Sequence, residues 1–211
     1  MPSCIRRSRV ASMLLTSGLL LLGGCASKQA APTQPEPPDM QAMMEAVNKA
    51  MTPGPEHARL AKAVGTWDGA MRMWFDPAGP PQENACVSTF TSIMGGRYTE
   101  CRTSGRIAMG ESVSDFEGRA IYGFNNVSRA YESIWIDNMG TAVMVATGHA
   151  SADGRVINWS GKMTDPAVGK AVDFREVETW IDDDTMLLEM YGPGADGKEF
   201  KSMEISFTRR K

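Results

Sequence analysis

The chain has 211 residues, 42% hydrophobic and 22% charged, a composition that excludes wholesale disorder and a polytopic membrane protein. Lys and Arg number 22 against 25 Asp and Glu, a net charge of -3. There is no basic excess of the kind that holds a phosphate backbone, so no nucleic-acid partner is expected. Only two histidines occur, His57 and His149, and neither has a Cys or a second His nearby to complete a metal set.

The first segment reads as an address. Arg6, Arg7 and Arg9 precede an apolar run from Val10 to Leu22, too short and too early for a spanning helix. It ends in Leu21-Leu22-Gly23-Gly24-Cys25, which is similar to the bacterial lipobox, with Cys25 as the residue that takes the lipid. The prediction is a lipoprotein signal peptide over 1–24 and a mature chain beginning at Cys25. Loss of three arginines and no acids takes the net charge from -3 to -6. An acidic body of that kind is held to a membrane by acyl chains rather than by its surface. Ala26, not Asp, follows Cys25. Resemblance to Gram-negative lipoproteins then implies an outer-membrane protein facing the periplasm. Residues 25–38 carry Pro32, Pro35, Pro37 and Pro38 and read as an extended tether.

An N-terminal helix is expected over 39–54. Met40, Met44, Val47 and Met51 recur on one face, Asp39 is the candidate N-cap, and Pro53-Gly54-Pro55 stops the helix. A second short helix follows, with His57, Leu60, Ala61 and Val64 on one side. Both stripes read as faces that pack.

From Gly65 the period changes to two. Turn signals recur at Gly79-Pro80, Gly95-Gly96, Met109-Gly110, Asn125-Asn126, Asn138-Met139-Gly140, Asp153-Gly154, Asp165-Pro166, Asp182-Asp183 and Asp196-Gly197. Nine turns separate ten candidate strands rich in Val, Ile, Thr and aromatic residues. An open sheet of ten locally connected strands has two exposed edges, and closure into an antiparallel up-and-down barrel over 55–211 removes them. A barrel of that size has room for a ligand beyond its own side chains.

Gly65-Thr66-Trp67 resembles the opening of lipocalin-type (calycin) barrels. The set LAKAVGTWDG (60–69), IMGGRY (93–98), WIDNMGT (135–141) and YGPGADGKEFKSMEI (191–205) is similar to the bacterial domain-of-unknown-function family 1579. The resemblance covers about residues 55–211. It implies an all-β, calycin-like barrel, with Trp67 plugging its closed end, and it brings no activity, ligand or catalytic residue.

Cys86 and Cys101 remain after the leader and the lipidated cysteine are set aside, an even pair in an oxidising compartment. They flank the Gly95-Gly96 turn and are expected to form a disulfide. A two-residue turn there puts Phe90 opposite Cys101, so a direct bridge requires a longer loop or a bulge. His149, in TGHAS, reads as a solvent-facing residue near a strand end; resemblance to calycin-like barrels that bind haem through an inward histidine implies haem there as the minor alternative. No other cofactor and no metal is expected. The 16 methionines are spread through the chain, which favours core filling over soft-metal binding. Trp67, Trp74, Trp135, Trp159 and Trp180 are expected on five different strands, with Trp67, Trp135, Met71 and Met73 as candidate pocket residues. Asp182-Asp183-Asp184 reads as a solvated turn, and Glu189, Glu204, Arg97 and Arg175 offer a possible inward Glu–Arg pair.

There is no G-x-S-x-G elbow, no phosphate-binding glycine loop and no H-E-x-x-H. The expectation is a non-enzymatic envelope barrel that binds a small apolar ligand. A filled barrel acting through its surface, or a carboxylate-based hydrolase, are the alternatives.

Overall fold

Alternation of apolar and polar residues gives ten strands, and the nine expected turns fall at the nine connections between them. The computed structural model describes residues 39–110, 112–166 and 168–211. The leader, the tether and Cys25 lie outside the described residues. Strands β1 (Gly65–Met73), β2 (Gln82–Ile93), β3 (Tyr98–Met109), β4 (Ser112–Asn125) and β5 (Ala130–Asp137) are followed by β6 (Met144–Ala150), β7 (Val156–Asp165), β8 (Lys170–Trp180), β9 (Thr185–Pro193) and β10 (Glu199–Arg209). Each pairs antiparallel with its neighbours in sequence, and β1 pairs with β10 to close the barrel. Met71 faces Asn84 on one side and Ile205 on the other, so the ring has no free edge at the seam. One bulge, between Lys201 and Met203, interrupts the β9–β10 register.

The first helix, α1 (Met40–Met51), is capped as expected: the Asp39 side chain accepts from the amides of Gln41 and Ala42. Its packing is not as expected. None of its residues is buried, and Met40, Met43, Met44, Val47 and Met51 are all exposed. The helix is held by its C-terminal end instead. The Asn126 amide donates to the carbonyls of Lys49, Ala50 and Thr52, at 3.3, 3.1 and 2.8 Å. The barrel end itself is filled by α2 (Pro55–Ala61), whose His57 and Leu60 are buried where the α1 side chains are not.

Helix α2 is the plug. His57 and Leu60 are buried, and α2 packs on β3, β4 and the Met94–Gly96 turn. His57 is satisfied locally, its Nδ1 accepting from the Gly54 amide at 3.0 Å and its ring meeting Phe124 edge-on. Trp67 completes the closed end: it is fully buried and its indole donates to the Ala63 carbonyl at 2.8 Å. The Arg209 guanidinium covers its ring at 4.1 Å and donates to the carbonyls of Val64 and Lys62, tying the last strand to the start of the first. Trp135, Trp159 and Trp180 sit on three further strands, whereas Trp74 follows β1 directly, so four of the five tryptophans occupy four strands and the fifth lies just past β1.

The expected disulfide is absent. Cys86 and Cys101 are free, buried thiols. Register gives the reason: Cys86 faces Gly105 and Cys101 faces Phe90. Both side chains point inward, but four residues apart along the ladder, about 13 Å at the rise of a strand, beyond any disulfide span.

Candidate functional site

Small side chains on the inner wall leave the barrel hollow at its other end. Ser88, Thr103, Ala120, Ser133 and Ala146 face inward from β2 to β6, where larger residues would meet across the axis. Glycine matters at Gly118: a Cβ there would collide with the six-membered ring of Trp135, which lies flat against that stretch of wall. The result is a cavity of about 420 Å³, within the range of small-molecule sites. Eight aromatic and six methionine side chains line it. Phe75, Met139 and Pro166 reach it from the β1–β2, β5–β6 and β7–β8 connections, which all lie at the end opposite α2, so the mouth is there.

The polar groups on the wall are few. Ser88 and Thr103 hydroxyls pair at 2.8 Å, and the Cys101 sulfur lies 3.5 Å from the Thr103 hydroxyl. Burial pushes both thiols up to about 11, so they stay protonated at neutral pH. Near the mouth, Asp137 accepts from the Trp135 indole at 2.7 Å and from the Met139 amide at 2.9 Å. Tyr122 stacks on Phe90 and tilts against Trp159. Its phenol is held neutral first by burial and then by Cys101, Glu176 and Glu178 nearby.

Glu176 and Glu178 both point inward from β8 and differ in their partners. Glu178 is ion-paired with Arg59 of α2 at 3.5 Å and accepts from the Trp180 indole at 3.0 Å. Glu176 has neither a hydrogen bond nor an ion pair among the described residues. Its side chain is half-buried, and its open side is the cavity. Burial, with Glu178 as a lesser cause, pushes its carboxyl up to about 8. Its cross-strand neighbour Trp159 has a buried indole N–H without an acceptor, and so has one Arg59 nitrogen, Nη2, at the plug.

Of the residues expected in the pocket, Met71, Met73 and Trp135 line the cavity. Trp67 does not; it belongs to the closed end. His149 is exposed on the outer face of β6, opposite Asn158, so the inward histidine that a haem site requires is not present there. The expected inward Glu–Arg pair is not formed either. Glu204 pairs with Arg72 and with Lys201, Glu189 with Lys201, and Arg175 with Glu199, while Arg97 donates to the Met94 carbonyl in its turn. The inward carboxylates of β8, Glu176 and Glu178, are not among the residues expected inside. Phe174, Glu176, Glu178 and Trp180 alternate along β8, and the two aromatic ends of that row carried the signal of its facing.

Fold and site together define a class: a ten-stranded calycin-like barrel, plugged by a helix at one end and hollow at the other. The chain belongs to the family described as Protein of unknown function (DUF1579), whose model matches residues 52–209. No curated protein matches it. Among solved structures it is similar to Rv2717c from M. tuberculosis, at 15% identity and a TM-score of 0.56, over 76% of this chain and 100% of that one. A protein of unknown function from the DUF3598 family of Nostoc punctiforme PCC 73102 also aligns, at 10% identity and a TM-score of 0.22, over 75% of this chain and 100% of that one. The first of these likenesses supports the barrel fold.

Proposed function

We propose that the protein is a lipid-anchored, non-enzymatic binding barrel of the cell envelope whose interior takes one small, mainly apolar molecule. The cavity of about 420 Å³, walled by aromatic and methionine side chains and opening away from the plug, is the observation that supports this reading. Water in such a space is poorly satisfied, and an apolar guest releases it at a gain of about 25 cal/mol per Å² buried. The anchor rests on the Leu22-Gly23-Gly24-Cys25 order. The test is uptake of the neutral fluorophore N-phenyl-1-naphthylamine by the full chain. Saturable enhancement is expected, and Ala146→Phe, which places a ring in the cavity, is expected to remove it while the far-ultraviolet β signal persists. Unsaturable or absent enhancement in the unmodified chain would overturn the reading.

The exposed methionine face of α1 favours a second reading, a module that engages a partner through its surface. Cross-linking from α1 that captures only random neighbours would count against it.

A further inference from the structure

The charged groups of the cavity are all of one sign. Among the residues that line it there are two carboxylic acids, Glu176 and Asp137, and no Arg, Lys or His. Asp137 is engaged with the Trp135 indole and the Met139 amide. The Glu176 side chain has no hydrogen-bond or ion-pair partner among the described residues. Arg59 of α2 is committed to Glu178 at the plug. Around Glu176 stand π faces and thioethers: Trp159 is its cross-strand neighbour on β7 and Met190 on β9.

Each of these features discriminates between kinds of guest. An anionic head, such as a fatty-acid carboxylate or a phosphate, would find no counter-charge on this wall and would face two acids. A neutral hydrocarbon would leave Glu176 buried and unpaired. A cation attached to an apolar body satisfies the carboxylate, lies against the quadrupoles of the aromatic faces and meets polarizable sulfur. Resting on the binding-barrel reading above, we infer that the ligand is a lipophilic cation, an organic amine or quaternary ammonium, with its nitrogen at Glu176 and its apolar body toward the mouth.

The proton balance is simple. In the empty barrel at neutral pH the Glu176 carboxyl is largely protonated. A bound cation favours the carboxylate, and the displaced proton goes to buffer. The titratable groups set against Glu176 are Glu178 on its own strand and Tyr122 on β4, the latter neutral at this pH; β7 and β9 present Trp159 and Met190. The Glu176 carboxyl, raised to about 8, therefore changes charge between about pH 6 and 9. Affinity for a permanently charged guest is expected to rise with pH toward about 8 and then level off.

The experiment is displacement of N-phenyl-1-naphthylamine from the full chain by three competitors with one alkyl chain and different heads: decyltrimethylammonium, decanol and decanoate, each below its micelle concentration. At pH 8.5 the ammonium is expected to compete about tenfold better than the alcohol, with decanoate weakest. The advantage is expected to shrink toward pH 6, since the probe itself does not titrate. Glu176→Gln, which keeps the shape, is expected to abolish the ammonium advantage and leave decanol unchanged. Equal competition by all three, a preference for decanoate, or an ammonium preference indifferent both to pH and to Glu176→Gln would overturn this inference while leaving the binding barrel standing. Failure of the fluorophore to bind at all overturns the barrel reading itself. The pH profile of the unmodified chain decides the matter if the variant does not fold.

Discussion

Glu176 sets a stability cost that depends on pH. Its folded-state carboxyl titrates near 8 against an ordinary value of 4.5, so between those values the folded chain holds a proton that the unfolded chain has lost. Stability is unaffected by this group below about pH 4.5, falls as pH rises toward 8, and is constant above. Glu176→Gln is therefore expected to stabilise the empty barrel by up to a few kcal/mol at pH 8, with a vanishing effect near pH 4. Urea unfolding at the two pH values measures it, and an equal shift at both would show that ionisation is not the cause. Cys86 and Cys101 carry the next expectation at this scale. As buried thiols raised to about 11, they are expected to resist alkylation in the native chain and to react on unfolding. Peptide mapping reads both, and a linked Cys86–Cys101 peptide would contradict the register of β2 and β3.

At the scale of the elements, the plug and the seam hold the closed end together. Trp67 fills the space under α2, bonds the Ala63 carbonyl and lies edge-on to Trp180 at 5.9 Å. Arg209 covers it from β10. Trp67→Ala is expected to lose about 3–5 kcal/mol, the usual range for a large aromatic removed from a close-packed core. Because Trp67 does not line the cavity, any variant that still folds is expected to keep its fluorophore affinity. Denaturant midpoints and fluorophore titration on the same sample separate the two effects. Helix α1 behaves differently: it is attached through carbonyls at its C-terminal end and buries no side chain, so its methionine face is available to something outside the barrel.

For the whole molecule, the proposed attachment and the proposed binding are expected to be separable. A barrel closed between β1 and β10 needs no membrane to satisfy its backbone, and among the described residues no helix is long and apolar enough to cross one. Cys25→Ser is accordingly expected to move the protein from the membrane to the soluble fraction of the envelope without loss of fluorophore uptake. Fractionation with immunodetection reads the first, and retention of the variant in the membrane would remove the acyl anchor from the proposal.

Turns, strand number and the calycin resemblance were legible because each is local. Asp153-Gly154 or Asp196-Gly197 bends the chain by its own dihedral preferences, and alternation between turns follows from a sheet with one wet face. The Asp39 cap and the satisfied, buried His57 were legible for the same reason. Quantities that depend on closure were not. Whether Met71 or Arg72 faces inward is fixed only when β1 joins both β2 and β10. That choice also put Glu176 and Glu178 inside and Glu189, Glu204 and His149 outside. The pairing of Cys101 with Phe90 was legible from the two-residue turn, and no bulge or longer loop brings Cys86 across to it. The helical stripe of α1 was real, yet its burial depended on a tertiary partner, and the structure leaves its side chains exposed. The sequence by itself determined the elements, their order and the barrel, because dihedral preference and alternation act over a few residues. Tertiary structure alone decided the cavity and the carboxyl within it, because facing and register are set by strands that meet only when the barrel closes.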